Sequence, residues 1–278
     1  MKPISRRRAL GIAGGAALAG VAGALSVAAP SGAATAWRNL GVVTANIGRD
    51  NLGQREAAII AVRNALTMEG AADRPLVGWQ EIGEGDGDEK EKGWINQHFG
   101  PNYQNLHLNN AGHRVPISAP TAYNVLAQRV THVHPGKEGV SPNRVISEVL
   151  LAAADDPALQ FAFVNTHFVA GAYNGREDPY EDWRRTMWGD HFRILRDTVI
   201  EHWRTRGYPV IWTGDVNRDP MPLLYPNKET RAFASGIDQI GWIEGTNGVQ
   251  IQLRNTKVVP MNVDSHNARV AVLQLRRV

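Results

Sequence analysis

Five places along the chain set polar residues of a particular kind at the ends of short apolar runs: Asn46, Glu81, His167 in Asn165-Thr166-His167, Asp215 with Asn217, and Asp264-Ser265-His266. Oxygen-bearing side chains such as Glu81, Asp215 and Asn46 suit a hard cation like Mg²⁺, which takes oxygen ligands and keeps several waters. Histidines beside such a cation can deprotonate a water or orient a phosphate. Each residue alone says little. An Asp after a strand is more often a turn or cap residue, and a lone His among apolar neighbours is more often structural. The set and its order carry the inference. The chain has no Cys, which excludes disulfides and thiolate ligands and leaves carboxylates, amides and imidazoles to build any metal site. It also offers no Cys or Gly-x-Ser-x-Gly nucleophile.

The elements that must position these residues read as mixed α/β. Gly41–Asn46 is a β-branched run that predicts a first strand, and Gln54–Met68 carries Ala58, Ile59, Val62 and Leu66 at helical spacing. Leu76–Glu81 reads as a second strand ending in an acid. An acidic loop, Glu84–Lys92, and a short helix around Trp94–Phe99 follow. Residues 102–129 are polar with modest β character. Val145–Ala153 and Gln160–Phe168 read as paired strands. Glu181–Arg206 is the longest helical pattern, with Trp183, Met187, Ile194, Leu195, Thr198 and Val199 as inward positions. Val210–Asp215, Ile237–Ile240 and Ala268–Leu275 complete the strands. With no repeat and no linker, the mixture predicts one α/β domain.

The 278 residues hold 30 Lys+Arg against 27 Asp+Glu, a charge of +3. Lys2 and Arg6–Arg8 precede an Ala/Gly-rich apolar stretch, and Ala34-Thr35-Ala36 fits a cleavage site. Residues 1–36 therefore read as an export signal, resembling a twin-arginine signal but with Ala9 and Gly11 where Phe and Lys are common. Residues 37–278 then keep 26 basic against 27 acidic residues, a net charge of −1. Whole-protein electrostatics give no argument for nucleic acid. No other stretch has the roughly 20 apolar residues of a membrane span.

Gln80-Glu81, Asn165-Thr166-His167, Gly214-Asp215-Val216-Asn217 and a late His266, in that order, resemble the endonuclease/exonuclease/phosphatase superfamily over about Val42–Leu275. The resemblance implies a four-layer sandwich of two mixed β-sheets flanked by helices, with the site at one end of the sheets. It implies Glu81 and Asn46 at the metal and His167 on the scissile phosphate. It further implies Asp215 on the attacking water, Asn217 holding the phosphate and His266 as the last catalytic histidine. Asp238 matches a further acid and is grouped with Asn217 and Arg144 as substrate-binding. The family usually ends in Ser-Asp-His; here Ser265 stands where that acid is expected. Asp264 is the candidate ligand in its place, although adjacent strand residues point to opposite faces.

The function implied is a secreted phosphoesterase using Mg²⁺, with Mn²⁺ or Ca²⁺ as alternatives, that hydrolyses phosphodiesters. Nucleic acid is the first-choice substrate, and a monomer without membrane insertion is expected. The alternatives are a phosphatase or phospholipid phosphodiesterase of the same fold, or a non-catalytic secreted binding protein that retains it. Three other features favour plain readings. The Glu84–Glu89 run reads as a solvated acidic loop, the tryptophans of the long helix as packing residues, and His132 with His134 as a same-face pair without a metal.

Overall fold

The computed structural model describes residues 34–48, 52–65, 74–83, 88–173, 179–263 and 266–278. Its strands in chain order are β1 (Arg38–Asn46), β2 (Leu76–Gln80), β3 (Tyr103–Leu106), β4 (Ile117–Pro120), β5 (Tyr123–His134) and β6 (Arg144–Ala153), then β7 (Asp156–His167), β8 (Val210–Asp215), β9 (Glu229–Arg231), β10 (Asp238–Ile243), β11 (Val249–Val263) and β12 (His266–Arg277). The helices are α1 (Leu52–Asn64), α2 (Asp88–His98) and α3 (Glu181–Ile194). A π-helical stretch, Leu195–Ile200, carries α3 into α4 (Glu201–Arg204).

Two mixed six-stranded sheets result, in the orders β11-β12-β1-β2-β4-β3 and β5-β6-β7-β8-β10-β9. Each has one parallel pair at its centre, β1 with β2 and β7 with β8. Alternation along the strands decides what lies between the sheets. Leu40 and Val42 of β1, Phe161 and Phe163 of β7, Ile211 of β8 and Ile240 of β10 fill the shared interior. Val43, Ala45, Val77 and Trp79 face outward under α1 and α2, and Ala162, Val164, Val210 and Trp212 face outward under α3 and the helical turns that follow. The layers are therefore helix, sheet, sheet, helix, as the family resemblance implies. Each buried large apolar side chain contributes about 1.5–3 kcal/mol.

Four sequence expectations change. The acidic loop ends earlier than Lys92, because α2 begins at Asp88; residues 84–87 lie outside the described segments, as do residues 1–33 of the export signal. The buried residues of α3 are Arg184, Trp188 and His191, with Trp183 and Met187 partly buried against the same cluster, and Thr198 is exposed. Arg184 is buried because Nη1 donates to the carbonyls of Ala170 (2.9 Å) and Val140 (3.4 Å), a use of a charged residue that apolar periodicity does not register. Residues 102–129 contain β3, β4 and the start of β5, and β9 and the long β11 were not anticipated. His132 and His134 do not share an environment. A register shift in the β5–β6 pairing lies between them, leaving His132 exposed and His134 buried edge-on against Trp183.

A buried ion pair links α1 to α2. Arg55 and Glu91 pair with both side chains fully buried, and Glu91 also accepts the backbone N–H of Gly83, two residues after Glu81. Removing one member leaves the other charge without its partner in the interior, so Glu91→Ala should lower unfolding free energy by about 3–5 kcal/mol. Urea unfolding followed by tryptophan fluorescence measures this; a loss below about 1 kcal/mol would contradict it.

Candidate active site

The inner faces of the central strands run from apolar core to polar layer to reactive rim. β7 presents Phe161, Phe163, Asn165 and His167, and β8 presents Ile211, Thr213 and Asp215. β1 presents Leu40, Val42, Thr44 and Asn46, and β2 presents Leu76, Gly78 and Gln80. In the polar layer, Asn165 Nδ2 donates to the carbonyls of Trp79 (2.7 Å) and Pro116 (3.0 Å), while its Oδ1 accepts from Gln80 Nε2 (2.6 Å) and Thr213 Oγ1 (3.0 Å). This one amide ties the two sheets together. Gly78 makes the approach possible, since a Cβ there would fall 2.1 Å from Thr213 Oγ1 and 2.5 Å from Asn165 Oδ1.

Above that layer the strand ends converge. Both His167 of β7 and Asp238 of β10 stand opposite Asp215 in register. Asp215 Oδ2 accepts from Asn46 Nδ2 and Oδ1 from the backbone N–H of Asn217, each at 2.9 Å. His167 Nε2 lies 3.7 Å from Glu81 Oε1 and 3.6 Å from Asp215 Oδ2. His266, from the first sheet, crosses to the second: its Nδ1 donates to Asp238 Oδ2 at 3.1 Å, and its Nε2 is 3.9 Å from Asp215 Oδ2. Glu81 occupies the left-handed region at φ 62°, an uncommon backbone for this residue type. Gly83, anchored by Glu91, closes the same turn.

Electrostatics separate the groups. Burial and the neighbouring Asp238 carboxylate push Asp215 up to about 7, against the hydrogen bonds it accepts. Burial opposes charge on His266, yet the hydrogen bond to Asp238 and the fields of Asp215, Asp238 and Glu81 outweigh it and raise the ring to about 9. His266 is then an imidazolium at neutral pH. Burial, reinforced by the Arg144 charge, holds His167 well below its usual value, so it is neutral. Arg144 Nη1 sits 3.2 Å from His167 Nδ1. A guanidinium can only donate, so Nδ1 accepts and the ring proton lies on Nε2, on the side of Glu81 and Asp215.

The donor set fits a divalent cation. Asp215, Asp238 and His266 bring ligand atoms within 4.8 Å of one another, but a His266 ring carrying both protons offers donors, not a lone pair. The oxygens left to hold it are those of the half-buried Glu81 and of Asp238, whose buried Oδ1 has no hydrogen-bond partner among the described residues. Carboxylates suit a hard, oxygen-seeking cation.

Of the sequence candidates, Asn46, Glu81, His167, Asp215, Asn217, Asp238 and His266 come together here. Asn46 spends both ends of its amide locally, on Asp215 and, through Oδ1, on the Gly48 N–H at 2.9 Å. Asn217 sits at φ 49° and donates from Nδ2 to the Phe168 carbonyl at 3.2 Å. Arg144 is not a surface arginine: it is 6% exposed and reaches the site through His167. Asp264 and Ser265 lie outside the described residues. Among the described residues His266 pairs with Asp238.

No protein-family model and no curated protein matches the sequence. Among solved structures, the chain is similar to an endonuclease/exonuclease/phosphatase family protein from Bacteroides thetaiotaomicron, at 14% identity over 86% of this chain and 96% of that one, with a TM-score of 0.59. It is similar to a mannosyl-6-phosphatase from the same organism, at 14% identity over 84% and 99% of the two chains, TM-score 0.60. A third similar structure is D. rerio TDP2 complexed with a single-strand DNA product, at 10% identity over 84% and 98%, TM-score 0.57. The chain has the endonuclease/exonuclease/phosphatase fold.

Proposed function

On this endonuclease/exonuclease/phosphatase fold, we propose a divalent-metal-dependent phosphoesterase that hydrolyses phosphodiester bonds, with nucleic acid as its substrate. The observation that carries the proposal is buried Asp215, near 7, set 3.9 Å from an imidazolium His266 and 3.6 Å from His167, which in turn lies 3.7 Å from Glu81. A carboxylate titrating near neutral pH suits a general base. Asp215 aligns a water and takes its proton. His266, fixed by Asp238, and His167, fixed by Arg144, present N–H donors to the phosphoryl oxygens, where negative charge grows during in-line attack. Glu81 and Asp238 would hold the cation, which would supply charge neutralisation at those oxygens. The chain has no Cys and no Gly-x-Ser-x-Gly motif, and in this reading water attacks directly, without a covalent enzyme intermediate. The mannosyl-6-phosphatase and the TDP2 complex support phosphoester chemistry on this fold and, in the second case, a DNA product.

The proposal extends to export. Residues 1–36 act as a twin-arginine-type signal, and residues 37–278 are the secreted domain. The support is Lys2 and Arg6–Arg8 ahead of an apolar Ala/Gly-rich stretch and the Ala34-Thr35-Ala36 cleavage pattern; N-terminal sequencing of the exported protein checks the boundary. The activity test is incubation of residues 37–278 with plasmid DNA, RNA, sphingomyelin and inositol phosphates, with Mg²⁺ or with chelator. Chelator-sensitive cleavage of DNA or RNA is expected. Absence of chelator-sensitive turnover across the whole set would overturn the assignment, and turnover of only the lipid or the inositol phosphates would reassign the substrate.

A further inference from the structure

Arg218 directly follows Asn217 in the loop after β8. Its guanidinium carbon lies 4.1 Å from the centre of the Tyr173 ring and 4.9 Å from that of Trp188. Tyr173 belongs to the loop after His167, and the two loops are joined by the Phe168 N–H donating to the Asp215 carbonyl (2.9 Å) and by Asn217 Nδ2 donating to the Phe168 carbonyl (3.2 Å). Trp188 is fixed in turn by its Nε1, which donates to the Val216 carbonyl at 2.8 Å. Arg218 is thus held by ring faces, a contact that leaves its in-plane N–H groups available. Among the described residues it has no carboxylate within ion-pair distance and no hydrogen bond, unlike Arg196, Arg231 and Arg277, which each pair with an acid. It is half-buried, and Tyr173 is 42% exposed. A pre-positioned arginine fork with no acid partner among the described residues, one residue from Asn217, is a site for an anion.

We infer that Arg218 binds a second phosphate of the substrate, the one neighbouring the scissile phosphate along a nucleic-acid strand. The inference rests on the phosphodiesterase reading and narrows it to strands carrying at least two phosphates. Net charge supplies no general attraction in residues 37–278, so discrimination for a strand must come from such local cations. Aromatic faces hold the guanidinium in place at little entropic cost on binding, which favours bidentate contact over a freely moving lysine.

Dithymidylate carrying phosphates at both ends and dithymidylate without them serve as probes, since they differ only in flanking phosphates. Binding is measured in chelator by competition against a fluorescent oligonucleotide, and turnover is measured separately with Mg²⁺. The wild-type protein is expected to bind the end-phosphorylated probe about tenfold more tightly. Arg218→Met should bring that preference within twofold. Lys257→Met, which removes one exposed charge from β11, should keep the preference. Arg218→Met retaining the tenfold preference would overturn the inference, as would Lys257→Met losing it equally. Because binding is read without turnover, absence of Mg²⁺-dependent cleavage would count against the phosphodiesterase reading alone.

Discussion

Asp215→Ala should lower kcat for phosphodiester hydrolysis by about a thousandfold, the scale of a lost general base, with a much smaller change in KM. The fold should survive the change, which far-ultraviolet circular dichroism checks. Burial and Asp238 already work against this carboxylate, so the native state gives up no favourable charge when it goes. The sign follows from linkage. A carboxyl raised from 3.8 to about 7 makes the native state bind protons the unfolded chain has released, so its ionisation destabilises the fold as pH rises through that interval. Activity lost without unfolding then reports chemistry. A folded Asp215→Ala protein with kcat within about threefold of wild type would remove Asp215 from the mechanism.

Asp238→Asn should cut kcat by about a hundredfold through His266. In the metal-free wild type, the His266 ring titrates at about 9, because the Asp238 hydrogen bond and surrounding carboxylates overcome burial. With Asp238 neutralised, burial regains weight and the ring falls toward its ordinary 6.5, so it is mostly neutral above pH 7. Activity on the alkaline side should therefore be lost at lower pH in the variant, as the imidazolium disappears earlier. Proton NMR of the His266 Cε1–H against pH reads the shift directly. A ring that still titrates near 9 in Asp238→Asn would show that Asp238 does not set its charge.

Most of the reactive rim was legible because strand alternation is a short-range rule. The inner-face series Phe161-Phe163-Asn165-His167 and Ile211-Thr213-Asp215 can be read straight from sequence, and so can the acid and histidine at their ends. Pairing across the two sheets was not legible in the same way. Asp238 was placed with substrate-binding residues, yet its carboxylate sits on His266, 28 residues later and on the other sheet. Arg144 was read as substrate-binding, and its contact with His167 on the adjacent strand was not foreseen. In both cases the decisive contact is set by tertiary register rather than by local pattern.

Among the elements, β11 was missed for a physical reason. It lies at a sheet edge with one face to solvent, so Gln252, Arg254 and Lys257 dilute its apolar signal, and Pro260 within the run argues against a strand. The helix at Asp88 was hidden by charge: Glu91 reads as solvated but is buried against Arg55. The altered Asp264-Ser265-His266 end made Asp264 the candidate ligand, and that residue lies outside the described ones; among those described, His266 pairs with Asp238.

The central claim is that this convergence of Asp215, His266, His167 and Glu81 makes a divalent-metal-dependent phosphodiesterase. The most direct measurement is hydrolysis of a short single-stranded oligonucleotide by purified residues 37–278 in ¹⁸O-labelled water, with Mg²⁺ and after chelation. Mg²⁺-dependent cleavage that places ¹⁸O from water in the new phosphomonoester, and that is lost in the folded Asp215→Ala protein, is expected. Cleavage that is indifferent to chelation, or equal in wild type and Asp215→Ala, would contradict it.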